Sequence, residues 1–350
     1  MASANDAELR RHGIRRVDLR GVKPGSRGWE EARAAVAASM EALGAVLVVH
    51  DALGPDLRRA LFGRAVPEFF ALPPDVKRGL VSGPINGYIG PRPYAPTYES
   101  VRAWETTNGG GVRNVGDLLW PHGRNPSFWY EIFVSLLVFP SLIWSRFCPA
   151  SCSDTVSTFA TNMLGIQKRV GAMILEGLGV GQGSVVSHLD SLNYSVRVSR
   201  YGASEAAAAT GYGKLMASHR DCTVLSVVVQ HDVEGLELQA KDGSWLAVAP
   251  EPDTVAVIAG ELLAVVTNGR VPACVHRVSA PGGRERLSAQ FVSTPKDGHT
   301  VRPLDELVDG HHPPLYNPCD FDGYVHFRFV GDGRKLSDPL EAFCGVAKDE

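Results

Sequence analysis

Polar and apolar positions follow two rhythms along the chain. The first half is mostly helical. Residues 29–43 are Ala-rich, with apolar positions three and four apart, and stop at Gly44, which predicts an amphipathic helix. Residues 56–70 repeat the pattern and close at Pro73-Pro74. Residues 155–177 predict a long helix, ended by Gly179, Gly181 and Gly183. Short strands are expected at 14–19, which alternates, and at 45–49. The segment 84–96 holds Gly87, Gly90, Pro91 and Pro93 among Tyr88, Ile89 and Tyr94. It is an irregular stretch suited either to lining a pocket or to ordinary loop packing.

The second half changes to short β-rich runs. They fall at 194–201, 223–230, 236–240, 245–249, 254–258, 262–266, 274–278 and 286–294, with turn pairs such as Asp242-Gly243 and Asn268-Gly269 between several of them. This order predicts an α+β, mainly β chain: a double-stranded β-helix (jelly roll) core with a helical N-terminal half. The expected division is a helical region at 1–184, a jelly-roll core at 185–300 and a C-terminal extension at 301–350.

One stretch fits neither rhythm. Residues 128–152 carry the apolar run Ile132-Phe133-Val134-Ser135-Leu136-Leu137-Val138-Phe139, then Pro140. A membrane helix needs roughly 20 apolar residues. This run is shorter, is broken by Pro140 and is flanked by Glu131 and Arg146, so a buried helix is expected over a membrane span.

Composition narrows the partners more than the chemistry. A net charge of -3 and a pI near 6.4 give no reason to expect a nucleic-acid or membrane partner. The N-terminus has no apolar leader core, and Asp6 and Glu8 count against a transit peptide. The six cysteines are dispersed without a CxxC pair, so free thiols in a reducing, cytoplasmic setting are expected. The expected oligomeric state is a monomer.

The candidate chemistry starts at Ser218-His219-Arg220-Asp221. On extended backbone, residues i and i+2 share a side, so His219 and Asp221 can reach one point. The chain carries its own control in His188-Leu189-Asp190, which has the same spacing but lies in a polar connection. His219 instead leads straight into an apolar strand, and His276 follows several strands later as a candidate third ligand. Two His and one carboxylate with open positions is the non-heme Fe(II) arrangement. Arg286 and Ser288 again share a strand face, and a guanidinium with a hydroxyl beside it makes a directional carboxylate anchor.

In this order, the sequence resembles the plant-type 2-oxoglutarate and Fe(II)-dependent dioxygenases. The carrying residues are His219-Arg220-Asp221, His276-Arg277-Val278 and Arg286-Leu287-Ser288, with Val233-Glu234-Gly235-Leu236-Glu237 and Asn268-Gly269-Arg270. Asn86-Gly87-Tyr88-Ile89-Gly90, Asp242-Gly243-Ser244-Trp245 and the tail from Gly333 to Gly345 are most similar to the AOP-like clade, named for alkenyl and hydroxyalkyl glucosinolate formation. The resemblance implies that His219, Asp221 and His276 hold Fe(II), and that Arg286 and Ser288 hold the distal carboxylate of 2-oxoglutarate. In relatives an Asn-x-Tyr pattern adds cosubstrate hydrogen bonds. Here it reads Ser199-Arg200-Tyr201, followed by Gly202 in place of the usual Pro, so only Tyr201 carries over. Arg220 stands where relatives often have Thr, and either faces substrate or is a solvated surface charge.

The resemblance further implies an oxidoreductase of plant secondary metabolism. It would consume O2 and 2-oxoglutarate, release succinate and CO2, and hydroxylate, desaturate or dealkylate a small-molecule plant metabolite, with ascorbate in support. Tyr88, Trp104, Arg220 and Phe291 are the substrate-pocket candidates, although Phe291 falls on the opposite strand face from Ser288. The 128–152 stretch departs from the family, in which a short Asn-Pro-x-Phe link leads directly into the next helix. Translated intron sequence would account for it, and sequencing the spliced transcript decides that. The alternative function is a catalytically inactive relative that binds a ligand or partner. A zinc hydrolase on a jelly roll would leave Arg286 and Ser288 without a role.

Overall fold

A computed structural model describes residues 13–80, 85–92, 95–104, 155–203, 212–281 and 283–346. The 128–152 stretch, Pro93 and Tyr94 lie outside the described residues. The chain opens with β1 (Arg16–Asp18), α1 (Arg27–Leu43) and β2 (Ala45–Val49). Ser26 caps α1 by accepting from the Trp29 N–H at 3.2 Å. Gly44 ends it in the left-handed region (φ 69°), where a Cβ would also meet the Pro272 carbonyl oxygen at 2.2 Å. Glycine is therefore required there by both conformation and space.

The second expected helix is continuous but not uniform. It runs as α2 (Pro55–Ala60), a π-helical stretch over Leu61–Ala65, and α3 (Val66–Phe70), followed by α4 (Pro74–Arg78). Two strands follow, β3 (Gly87–Ile89) and β4 (Tyr98–Trp104). The long helix α5 (Thr155–Gly177) buries an apolar face from Val156 to Leu175. It is succeeded by α6 (Gln182–Asp190), a second helix where the glycines had predicted a connection; His188 sits on α6.

The strands then come in order: β5 (Leu192–Tyr201), β6 (Tyr212–His219), β7 (Leu225–Gln230), β8 (Leu236–Gln239), β9 (Trp245–Ala247) and β10 (Thr254–Ala259). Residues 262–266 are a correction. They form α7 (Glu261–Val266), not a strand, and all six residues of α7 are buried. A short apolar run fits either a strand or a buried helix by periodicity, and Gly260 at the N-cap resolved it as a helix. β11 (His276–Pro281), β12 (Arg286–Pro295), β13 (Thr300–Val301), β14 (Cys319–Asp320), α8 (Phe321–Phe329) and α9 (Pro339–Cys344) complete the chain.

Eight strands form one sheet in the order β1-β2-β10-β7-β12-β5-β4-β3, and four form another in the order β6-β11-β8-β9. Together with the helices they make an α+β fold with a jelly-roll core. Strands β1 to β4 come from the N-terminal region and extend the larger sheet at both edges. Its outer face packs on α5, where Gln167 donates to the Leu225 carbonyl at 2.9 Å and to the Ser293 hydroxyl at 2.8 Å. Between the sheets, Val228, Leu236, Leu238, Ala256 and Ile258 form a small apolar cluster. Tyr98, Tyr201 and Val278 form another. Among the described residues no helix is long and apolar enough to cross a membrane.

Candidate metal centre and anion anchor

β6 and β11 pair antiparallel with His276 directly opposite His219. Their rings lie 4.3 Å apart between centroids. Asp221 follows just past the end of β6, on a turn held by the first residues of α7. The Glu261 N–H donates to the Asp221 carbonyl at 2.8 Å and the Leu262 N–H to the Thr223 carbonyl at 3.1 Å. A Cβ at residue 260 would sit 2.0 Å from the Thr223 oxygen, so this approach needs Gly260. From the other side, Arg328 on α8 donates to the Arg220 carbonyl at 2.6 Å while ion-paired to the buried Glu261, which also accepts from the Tyr324 hydroxyl. The backbone carrying Asp221 is thus fixed from both sides.

Each imidazole is oriented by its own strand. Nδ1 of His219 lies 2.9 Å from the Ala217 carbonyl, and Nδ1 of His276 lies 3.1 Å from the Cys274 carbonyl. A carbonyl accepts only, so Nδ1 carries the proton and the Nε2 lone pair is directed inward. The two Nε2 atoms lie 3.7 and 3.8 Å from Asp221 Oδ1. The Ser226 hydroxyl donates to Oδ2 at 2.6 Å. One donor atom from each of the three residues lies within 4.8 Å of the others. Two imidazole nitrogens and a carboxylate on one side of a common point fit a divalent first-row metal such as Fe(II).

The electrostatics favour that donor state. Burial holds the His219 pKa down at about 4, with His276 adding to the effect. Burial alone would raise the Asp221 pKa, but the two histidines and the Ser226 hydroxyl bring it to about 2. At neutral pH His219 is therefore neutral and Asp221 ionised, which are the forms that bind metal.

The candidate anchor lies deeper in the larger sheet. Arg286 on β12 stands opposite Tyr201 on β5, which in turn stands opposite Tyr98 on β4. Arg286 is 1% exposed; its Nη2 donates to Gln230 Oε1 at 2.8 Å and its Nη1 to the Ser288 hydroxyl at 3.4 Å. Its guanidinium also lies 5.0 Å over the Tyr201 ring, and burial raises the Tyr201 pKa so that the phenol keeps its proton. Ser288 is buried beside Ser199, the residue in the place of the expected Asn. A Cβ at Gly235 would come within 2.9 Å of Arg286 Nε, so the Val233-Glu234-Gly235 run is built around this side chain.

The substrate candidates divide. Arg220 borders a cavity of about 670 Å3 that His219 and Asp221 also line, but its Nη1 is bonded to Asp338 at 3.1 Å. Tyr88 is a correction. It faces away from this cavity, donates to Glu99, and lines a separate cavity with Lys77 and Arg200. Its neighbour Ile89 has the parity that faces the triad. Phe291 is a second correction. It is fully buried on the outer face of the sheet, stacked on Tyr194 with centroids 5.7 Å apart. Gln290 and Val292 face the cavity instead. The Trp104 side chain lies outside the described residues. The sequence reading missed Arg102 and Arg197, which also line the cavity. The polar alternation Ser195, Arg197, Ser199, Tyr201 along β5 was the signal that could have found Arg197.

Comparison with known proteins agrees with this geometry. Residues 193–295 match the family described as the 2OG-Fe(II) oxygenase superfamily. An Arabidopsis thaliana protein named probable 2-oxoglutarate-dependent dioxygenase AOP1.2 is 29% identical over 92% of both chains. A further Arabidopsis thaliana relative, named probable inactive 2-oxoglutarate-dependent dioxygenase AOP2, is 27% identical over 93% of this chain and 96% of its own. The crystal structure of a rice dioxygenase for auxin oxidation is 25% identical and superposes with a TM-score of 0.73 over 95% of this chain and 100% of its own. The structure of JOX2 in complex with 2OG, Fe and JA matches in fold, with a TM-score of 0.70 at 21% identity over 95% of this chain and 89% of its own. The chain is thus similar over nearly its whole length to 2-oxoglutarate-dependent dioxygenases, and residues 193–295 carry the match to the 2OG-Fe(II) oxygenase superfamily.

Proposed function

We propose that the protein couples oxidative decarboxylation of 2-oxoglutarate, yielding succinate and CO2, to oxidation of a C–H bond in a small-molecule plant metabolite. His219, Asp221 and His276 would hold Fe(II); Arg286, Ser288 and Tyr201 would hold the distal carboxylate of the cosubstrate. The reading is carried by one observation: two inward Nε2 atoms and a carboxylate converge on a point at the mouth of a sheet whose interior buries an arginine. Bound iron would supply the activation of O2, with ascorbate serving to keep it reduced. The protein's own contribution is positional. Asp221 stays ionised, and both imidazoles are locked with Nδ1 outward. Arg286 neutralises the far end of a diacid in a place closed to water. Ser288 and Tyr201 supply hydroxyls on the same sheet face. Whether the outcome is hydroxylation, desaturation or dealkylation depends on which C–H the cavity presents to the metal. Relatives named for auxin oxidation or solved with JA support a small organic substrate.

Anaerobic addition of Fe(II) and then 2-oxoglutarate tests this. A weak visible charge-transfer band is expected from bidentate keto-acid binding. Its absence would favour the inactive, ligand-binding alternative.

A further inference from the structure

The inner face of the larger sheet carries a second basic feature. Arg102 on β4 stands directly opposite Arg197 on β5, and Arg197 directly opposite Gln290 on β12. All three line the same cavity as His219 and Asp221. Like charges directly opposite one another weaken a sheet, and a buried charge is costly without a counter-charge. Arg102 is 4% exposed, yet its Nε donates to the neutral Ser195 hydroxyl at 2.8 Å. Arg197 donates to the Ile85 carbonyl at 3.3 Å. Among the described residues no carboxylate lies within ion-pair distance of either guanidinium. Arg220 and Arg328 border the same cavity and differ in this respect, being paired to Asp338 and Glu261. Burial and the neighbouring Arg197 lower the Arg102 pKa to about 10, which leaves it charged at neutral pH.

This pair is distinct from the cosubstrate anchor. Arg197 and Tyr201, the residue opposite Arg286, are separated along β5 by about 13 Å at the usual strand rise. The rest of the cavity includes Ile85, Ile89, Met216 and Val292, an apolar lining for a hydrocarbon body. We propose that Arg102 and Arg197, with the Gln290 amide beside them, bind a carboxylate of the substrate, so that the protein selects small organic acids. Among the described residues Asp221 acts on the pair only from beyond ion-pair distance, so the carboxylate supplies a direct counter-charge, and holding it on the β4–β5 wall fixes which C–H faces the triad. This assignment rests on the oxygenase reading above.

Titration calorimetry on the anaerobic protein loaded with Fe(II) and 2-oxoglutarate tests it, using phenylacetate, indole-3-acetate and octanoate, each against its own primary amide. At least one acid should bind about tenfold tighter than its amide, the usual scale for a charged hydrogen bond. Arg102→Met and Arg197→Met should each reduce that preference to about threefold or less on the same scale, and both should keep the charge-transfer band of bound 2-oxoglutarate. Ligand-free Arg102→Met should melt no lower than the parent protein, because it removes a buried like-charge contact. The proposal is overturned if no acid is preferred to its amide, if the preference survives both substitutions, or if Arg102→Met melts lower. Loss of the band only in the variants would move the pair to the cosubstrate and overturn it as well. A parent protein without the band removes the underlying oxygenase reading itself.

Discussion

The two faces of β12 belong to different parts of the molecule. Leu287, Ala289 and Phe291 point outward into the core shared with α5, whereas Arg286, Ser288 and Gln290 point inward. The same split runs through β5, where Val196 and Val198 pack in the core and Arg197, Ser199 and Tyr201 face in. A strand turns successive side chains to opposite sides, so a single segment can stabilise the fold with one set of residues and hold charge with the other. The outer face is satisfied chiefly by apolar packing, with the Ser293 hydroxyl accepting from Gln167 of α5. The inner face buries guanidiniums and hydroxyls, whose cost is met in part by hydrogen bonds such as Arg286 to Gln230 and Arg102 to Ser195.

The comparison can be broken at three places. The largest effect is expected at the metal: Asp221→Ala should abolish Fe(II) binding and turnover, read by metal titration and by succinate formation. Full activity in that variant would remove the metal assignment.

Next come paired substitutions on β12. Phe291→Ala should lower stability by about 3–5 kcal/mol in denaturant unfolding, while any folded fraction binds 2-oxoglutarate as before. Arg286→Ala should do the reverse for ligand: the 2-oxoglutarate requirement rises about tenfold or more with iron binding largely retained. If Phe291→Ala changed the cosubstrate requirement instead, the two faces would not be separate in function.

The smallest effect is in pH. The folded His219 pKa of about 4 lies below its ordinary value of 6.5. Between those values the unfolded chain binds more protons, so stability is lost as pH falls from 6.5 towards 4. The folded Asp221 pKa of about 2 lies below 3.8 and extends the loss further into acid. Metal-free His219→Gln should therefore show a flatter melting-temperature profile over pH 4 to 6.5 than the parent protein. Equal slopes would mean that His219 is not held neutral by burial.

Most of the metal centre was legible in the residues. The i, i+2 spacing puts Arg286 and Ser288 on one side of β12, whereas His219 ends β6 and Asp221 lies just past it, so there the spacing named the pair and the turn held by α7 positions the carboxylate. The helices at Arg27–Leu43 and Thr155–Gly177 were equally plain, because each carries a long apolar stripe and a stop. Less was legible where the local signal was short. Residues 262–266 read as a strand and are a buried helix. The strands Tyr212–His219 and Tyr98–Trp104 were not anticipated, although the first brings His219 opposite His276 and the second carries Arg102.

Local sequence thus determined which residues travel together: a histidine with an aspartate, an arginine with a serine, alternating polar and apolar positions along β5 and β12. Alternation fixes that neighbours face opposite ways, but not which way is inward. That choice came from pairings distant in sequence and from α5 covering one face of the sheet. It sent Tyr88 and Phe291 away from the triad and set Arg102 against Arg197 within it. Tertiary structure decided it because burial is a property of the assembled layers, and no single strand carries that information alone.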